Sequence, residues 1–513
     1  MTTTTLHYTH TLLSLRRQIE KASVTREMAA LQALKSSFRV LCSAHTRRGA
    51  AAMAVAASIP ARTDVVIIGG GLVGTSVAYH LAKRDAQCRV TVIEKDVQFK
   101  FASSSRSLGG IRVQFAEPEN VKMSMYGLEF LRRAHTELQP EESAAAASEM
   151  HHTNDLGMLV TDAGYLYLAN SDSGKEALVE NHTMQQQCGV EGIQLLEPRQ
   201  IQHIFPWMNT NDVTLGSYGV GVEGAFDPPS LQSAMRKKAM ELGRVHFVHA
   251  EVCGFTMEAA EVSGNTRIQA VHLRPPPPLS SSSKDDRAEA ALSSDQRIHC
   301  RYVVNAAGPF ANSIVEMAKA AMSNTSPAIK ESLPMLPVCA KKRNVFVIRV
   351  PEAKDTIMNC PLIINPSGVF LRQEGPDIFL CGVSPDEDDD PSYEDTRALD
   401  DVNYKEFDDR VWPALYDRSP SIFEKLRLVA AWAGFYDYNV FDQNAIIGPH
   451  STISNLLFAN GFSGHGVQQA PAVGRAISEL ILDGSFIEID LSRMRFSRFE
   501  EGTRALVFEK NII

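Results

Sequence analysis

Apolar positions along this chain follow two rhythms, and a glycine run marks where one gives way to the other. Val65 to Ile68 is an unbroken apolar stretch, the pattern of a short strand buried on both faces. Gly69, Gly70 and Gly71 follow, with Gly74 three residues on. Val73, Val77, Ala78 and Leu81 then fall at helical spacing as far as Lys83. A second strand-like run, 89–93, ends at Glu94. Strand, glycine turn, helix, strand and a terminal acid about 20 residues beyond the last glycine is the pattern of a dinucleotide-binding unit. The first glycine makes the tight turn. The second lets backbone approach a diphosphate, and the third lets helix pack on strand. The free N–H groups and positive end of the helix then attract the diphosphate, while Glu94 is placed for a ribose diol.

The same rhythms continue downstream. Residues 100–112 read as a polar loop, either a plain surface loop or one whose hydroxyls and backbone touch a ligand over the first domain, and 119–138 as a helix. Strand patterns follow at 161–170, 245–252 and 298–304, and helices at 230–242 and 310–322. The strand at 298–304 ends in Asn305-Ala306-Ala307-Gly308, small residues that permit a second close backbone approach. Four short strand patterns, 345–350, 362–365, 369–372 and 378–383, predict an antiparallel sheet in a second domain. A helix over 404–412 should end at Pro413. Near the end, a strand at 456–459 runs into Asn460-Gly461-Phe462-Ser463-Gly464-His465-Gly466-Val467-Gln468-Gln469 and a helix from about Pro471 to Leu482. Strand, glycine loop and helix start thus recur, predicting a second dipole-stabilised site. Residues 274–296, with four prolines and four serines in sequence, predict a disordered insertion at a hairpin tip.

The 513-residue length and 44% hydrophobic content fit a large soluble protein, and no apolar run reaches the 18 or so residues of a spanning helix. The net charge of -9, without a basic stripe, argues against nucleic acid. That charge is uneven. Residues 1–62 hold nine lysines and arginines against two acids and are rich in Ser, Thr and Ala. This composition predicts a mitochondrial targeting segment, with 16–40 able to form an interrupted amphipathic helix. Eight scattered cysteines, with no C-x-x-C pair, predict free thiols in a reducing compartment and no metal site.

Taken together, GGGLVG near the start, VVNAAG in the middle, and WAGFYD with ANGFSGHG near the end resemble the flavoprotein family of sarcosine oxidase, dimethylglycine dehydrogenase and D-amino-acid oxidase. The long stretches WAGFYDYNVFDQNAIIGPH and FANGFSGHGVQQAPAVGRA, with FPW near Trp207, GGIR-x-Q-F and the final NII, are more narrowly similar to a mitochondrial branch of that family that serves the assembly of respiratory complex I. The resemblance implies an α/β architecture: a Rossmann-like FAD-binding domain from 63–150, 220–330 and 430–513, and an antiparallel-sheet substrate domain from 151–219 and 331–429. It implies non-covalent FAD, because the positions that tether flavin in some members read Gly434 and about Ser107 here.

The resemblance also implies a set of contacts. Gly69, Gly70, Gly71, Leu72, Val73 and Gly74 would take the pyrophosphate, and Glu94 with Lys95 the adenosine ribose. Ser104, Ser105, Val252, Ala307, Gly308 and Gly434 would line the cofactor. Gly461, Phe462, Ser463, Gly464, His465, Gly466, Val467 and Gln468 would wrap the flavin ring. The family reaction is hydride transfer from a carbon beside an amine nitrogen to flavin N5. The candidate catalytic residues are Arg112, as holder of a substrate carboxylate, Tyr436, lining the substrate pocket, and His465, beside the ring. Gln468 stands where sarcosine oxidases place a carboxylate-gripping lysine, and no lysine occurs in 378–383, where oxidases place one for reaction with oxygen. The expected partners are complex I subunits or assembly intermediates and a small amino-acid-like substrate, in the matrix or peripherally on the inner membrane.

Overall fold

A computed structural model describes residues 59–139, 159–161, 163–259, 266–276, 296–322, 334–357, 359–502 and 506–511. The targeting segment before residue 59, the acidic stretch 141–155 and most of the low-complexity insertion lie outside the described residues. The strands that flank that insertion, Thr266–Arg274 and Gln296–His299, pair antiparallel with Leu273 opposite Gln296.

The opening apolar run is the central strand of a six-stranded sheet. Its order is Ile446–Pro449, Leu456–Asn460, Tyr302–Asn305, Val65–Ile68, Arg89–Glu94, Arg244–His249, parallel except for the first pair. Val65–Ile68 carries no polar position because both of its faces are covered. Val65 and Ile67 enter a core beneath helices Leu72–Arg84, Pro118–Glu137, Pro228–Leu242 and Gly466–Leu482. Val66 and Ile68 enter another, built with helix Ala311–Ala321 and the three-stranded sheet Glu251–Ala259, Thr266–Arg274 and Gln296–His299. Helix Leu72–Arg84 is buried around most of its circumference because two helices flank it. Gly474 of one is pressed so close to Ser76 that an added Cβ would come within 2.2 Å of its Oγ.

The second layer is a nine-stranded sheet. Val338–Arg349 lies near one edge, paired along most of its length with Arg427–Asn439. The other members include Ile378–Gly382, Phe370–Gln373, Leu362–Ile364, Tyr165–Ala169, Leu215–Gly219 and Ile193–Leu196. Its core gathers Leu166, Ile201, Phe346, Phe379, Phe407 and Phe423. The sheet is not wholly antiparallel as expected, because Leu362–Ile364 runs parallel to Tyr165–Ala169. Those two strands come from separate stretches of chain, so no hairpin fixes their direction. Strand Arg427–Asn439 also carries residues 430–439, grouped with the cofactor domain from sequence, into this second sheet.

Three local expectations shift. The run 245–252 splits at Ala250, whose N–H bonds to the Glu94 carbonyl, so Val252 begins the neighbouring sheet. The helix at 404 does not end at Pro413. A π turn, Phe407–Val411, runs without a break into Trp412–Arg418, and Pro413, which has no N–H to give, stands just past the turn where the regular helical bonding is already interrupted. The last helix starts at Gly466, five residues before Pro471, which lies inside it.

One buried clasp ties the end of the chain to this framework. Arg498 and Asp442 are both fully buried and joined at 2.8 and 3.0 Å. Asp442 also accepts from the Asn439 amide and the Val507 N–H, and Arg498 donates to the carbonyls of Met494 and Asn444.

Candidate functional site

Between the two sheets lies a cavity of about 1020 Å³. One end is the glycine turn. Gly69 adopts φ +104° and sits so near Ala306 that a Cβ would come within 2.3 Å of its carbonyl oxygen. A Cβ on Gly74 would come within 2.0 Å of the Gly69 oxygen. Gly71 differs: its φ is -60°, and the nearest atom to a Cβ is Ser104 Oγ at 4.0 Å. Only open cavity lies above it. Gly71 caps helix Leu72–Arg84 without any side-chain hydrogen bond and with no acid in the first turn, so the leading N–H groups face the cavity. Glu94 lines the same end. Its carboxylate accepts from Gly70 N–H at 2.8 Å and Asp96 N–H at 2.7 Å. Burial raises its pKa, and those two donors oppose the rise.

The lining contains Gly69, Gly71, Leu72, Val73, Glu94, Lys95, Ser104, Val252, Ala307, Gly308 and Gly434, together with Phe462, Gly464, His465, Gly466, Val467 and Gln468. Five expected contacts do not line it. Gly70 turns its N–H to Glu94 and its carbonyl to Gln232 Nε2 and Thr75 Oγ1. Gly74 is a packing glycine. Ser105 is replaced by Ser103, the first residue of the short helix Ser103–Arg106. Gly461 and Ser463 shape the far loop from behind: Ser463 N–H bonds to the Asp437 carbonyl, and its Oγ accepts from Asn439 N–H. No cysteine lines the cavity among the described residues.

The other end is organised by the loop before helix Gly466–Leu482, whose start also lacks a side-chain cap. Gly464, at φ +99°, lies under Tyr436 so closely that a Cβ would stand 2.5 Å from the ring. Asp437, which the sequence reading passed over, lines the cavity and accepts from Phe462 N–H at 3.2 Å, fixing the loop. Burial lifts its carboxyl from 3.8 to about 6 against that backbone donation. Such a group keeps its proton in the folded state where the unfolded chain has lost it. Its contribution to stability is therefore present below about pH 4 and is lost as pH rises through about 6. Asp437→Asn should remove that slope. Between pH 4 and 7, wild type should lose on the order of 1–3 kcal/mol relative to the variant. Denaturant unfolding at both pH values checks this, and identical pH dependence in the two proteins would contradict it.

Arg112 is 2% exposed and stacks on Phe115, its guanidinium carbon 4.1 Å from the ring centroid. It donates to the Gln114 carbonyl at 2.7 Å, to the Asn511 carbonyl, and to His465 Nε2 at 3.1 Å. A guanidinium only donates, so that ring nitrogen accepts. Burial, then the Arg112 charge, push His465 well below its ordinary range, and it is neutral. This suits a positioning role rather than proton transfer. Gln468 accepts from the Arg112 backbone N–H at 2.8 Å, so its amide shapes the loop. Tyr165, Leu362 and Phe370 complete this end. Sequence reasoning missed Asn511 and its neighbour Glu509, since nothing in their local periodicity points to a buried contact with residue 112.

The cavity fits an extended dinucleotide. Bare backbone and an acid stand at one end, where Gly71 faces open space, and an uncapped helix start stands at the other.

A family model described as FAD dependent oxidoreductase matches residues 64–480. The FAD-dependent oxidoreductase domain-containing protein 1 of Xenopus laevis is 38% identical over 467 residues, 88% of this chain and 85% of that protein. Human mitochondrial dimethylglycine dehydrogenase is 25% identical over 448 residues, 84% of this chain and 44% of that protein. Among solved structures, L-proline dehydrogenase from P. horikoshii superposes with a TM-score of 0.65 at 26% identity, covering 86% of this chain and 99% of that one. With the glycine cradle, Glu94 and the two helix starts facing one cavity, these matches make FAD its cofactor, and the chain belongs to the FAD-dependent oxidoreductase family of D-amino-acid oxidase type.

Proposed function

We propose that this chain is a mitochondrial FAD protein that serves the assembly of respiratory complex I, with complex I subunits or assembly intermediates as its partners. The mitochondrial part draws on the arginine-rich composition of residues 1–62 and on the mitochondrial dehydrogenase relative. The observation that favours an assembly role over amino-acid turnover is the state of Arg112. The side chain a substrate carboxylate would need is bonded to two backbone carbonyls and a histidine of its own chain. Gln468, where a second carboxylate grip would stand, is a neutral amide already holding backbone.

When bound, FAD supplies a two-electron acceptor. The chain's residues define what surrounds it. Gly69, Gly71 and the leading N–H groups of Leu72–Arg84 would hold the diphosphate, and Glu94 the ribose. The start of Gly466–Leu482 directs its positive end toward negative charge at the flavin, a dipole set before any reaction. Asp437 and Gly464 fix the loop that carries this helix start.

A second reading is a dehydrogenase of an N-methylated or secondary amino acid, taking hydride to flavin N5. The apolar walls at Leu108, Val345, Leu362 and Phe370, with Tyr436 beside them, favour it. Two experiments separate the readings. Cells lacking the protein should lose assembled complex I, and the wild-type gene should restore it. Normal complex I in those cells, with full anaerobic bleaching of the purified protein's flavin by a secondary amino acid, would establish the second reading instead. If a flavin-free variant restores assembly fully, the cofactor is not needed for that role.

A further inference from the structure

Residues 506–511 return across the cofactor layer and end against the substrate side of the cavity. Their anchor is Glu509, 0% exposed, whose carboxylate accepts from Ala116 N–H at 3.0 Å, Asn120 Nδ2 at 2.8 Å and Asn511 N–H at 2.9 Å. Glu509 N–H in turn bonds to the Asp442 carbonyl, and Asn444 Nδ2 donates to the Val507 carbonyl. Held in this way, the Asn511 carbonyl accepts from Arg112 Nη2, and the Asn511 amide donates to the Gln114 carbonyl. The loop 112–116 is therefore fastened twice. Glu223 receives the N–H groups of Val113 and Gln114, and Glu509 that of Ala116.

A buried guanidinium is costly unless a carboxylate or several acceptors compensate it. Among the described residues no carboxylate is bonded to Arg112, and one of its acceptors comes from a segment joined to the rest of the site only through Glu509, Val507 and Asn511. We infer that residues 506–511 are a specificity-determining element: the Asn511 carbonyl takes the place of a ligand carboxylate on Arg112, so that carboxylate ligands are excluded while the segment is seated. A carbonyl dipole compensates the cation less well than a carboxylate does. Unseating the segment therefore converts a site closed to small carboxylates into one that binds them. The inference rests on the cavity holding FAD, and it deepens the reading above by making carboxylate exclusion a property of this segment.

The test uses the full-length FAD protein and three variants: Glu509→Ala, the milder Asn511→Gly, and Glu509→Ala combined with Arg112→Met. Acetate, and acetamide as its uncharged counterpart, are titrated against each while the bound flavin's absorbance is followed. Glu509→Ala should bind acetate at least ~10-fold more tightly than wild type, the scale of one charge-assisted hydrogen bond. Asn511→Gly should move the same way by less. Acetamide binding should hardly change, and the double variant should lose the gain. The inference is overturned if both single variants, with normal flavin spectra, bind acetate no better than wild type. It is equally overturned if acetamide tightens as much, which would make the segment only a steric plug, or if the gain survives without Arg112. Each of these outcomes leaves the cofactor reading intact. That reading fails separately, if the wild-type protein is colourless and takes up no added FAD.

Discussion

Gly71→Val should give a folded protein that carries no flavin. Two of the turn's four glycines are confined by backbone: a side chain on Gly69 or Gly74 would strike a carbonyl oxygen at about 2 Å and disrupt the strand–helix packing itself. Gly71 has no such neighbour, and its backbone angles suit any residue. The Cβ of a valine there would stand no closer than 4.0 Å to Ser104 Oγ, and its side chain would fill the place of the pyrophosphate. Flavin absorbance per mole of protein should fall to near zero, a loss of at least ~100-fold in affinity, of the order expected when a close backbone–phosphate approach is blocked. The unfolding midpoint measured without cofactor should stay near that of flavin-free wild type. Stoichiometric flavin in the variant would contradict the placement of the diphosphate, and failure to fold would contradict the open space above Gly71. This variant is also the flavin-free protein needed for the complex I rescue.

Arg498→Met should be the most destabilising single change considered. It leaves Asp442, fully buried, without its cation while Asn439 and the Val507 N–H still point at it. Removing one partner of a buried pair costs about 3–5 kcal/mol, mostly the penalty of the stranded charge. The companion change Asp442→Leu should recover part of the loss, because replacing both charges by apolar groups is often tolerated. Denaturant unfolding of the two variants decides this. A loss below about 1 kcal/mol in the single variant would mean that the clasp is not what seats the end of the chain.

How much of this could be read from the residues alone differs from one part of the site to the next. The first half of the cofactor cradle was legible because its chemistry is local: turn, helix start and terminal acid lie within one βαβ stretch, each tied to its neighbours by backbone geometry. The glycine loop at 461–468 was legible for the same reason. Less so was the division within each loop between residues that face the cavity and residues that brace it. Gly461 and Ser463 have the composition of contacts yet serve as supports, because the alternation of a tight loop is set by which N–H finds Asp437. The parallel join of Leu362–Ile364 with Tyr165–Ala169 was not legible at all, since pairing between distant stretches leaves no trace in either. The use of Arg112 was hidden likewise: its type announces a carboxylate, but its partners arrive from residues 465 and 511, and only the folded chain brings them together.

The strand order of the cofactor sheet bears on how the molecule comes into being. Val65–Ile68 needs Tyr302–Asn305 at its side, and that strand in turn needs Leu456–Asn460. A polypeptide emerging from its amino end, whether from a ribosome or through a membrane pore, cannot close this layer until some four hundred further residues have appeared. Until then an edge of the sheet stands open, first on Val65–Ile68 and then on Tyr302–Asn305, and such late, long-range closure is slow and prone to association. A cofactor held by both loops of this cavity would then also act as a latch for the last step of maturation.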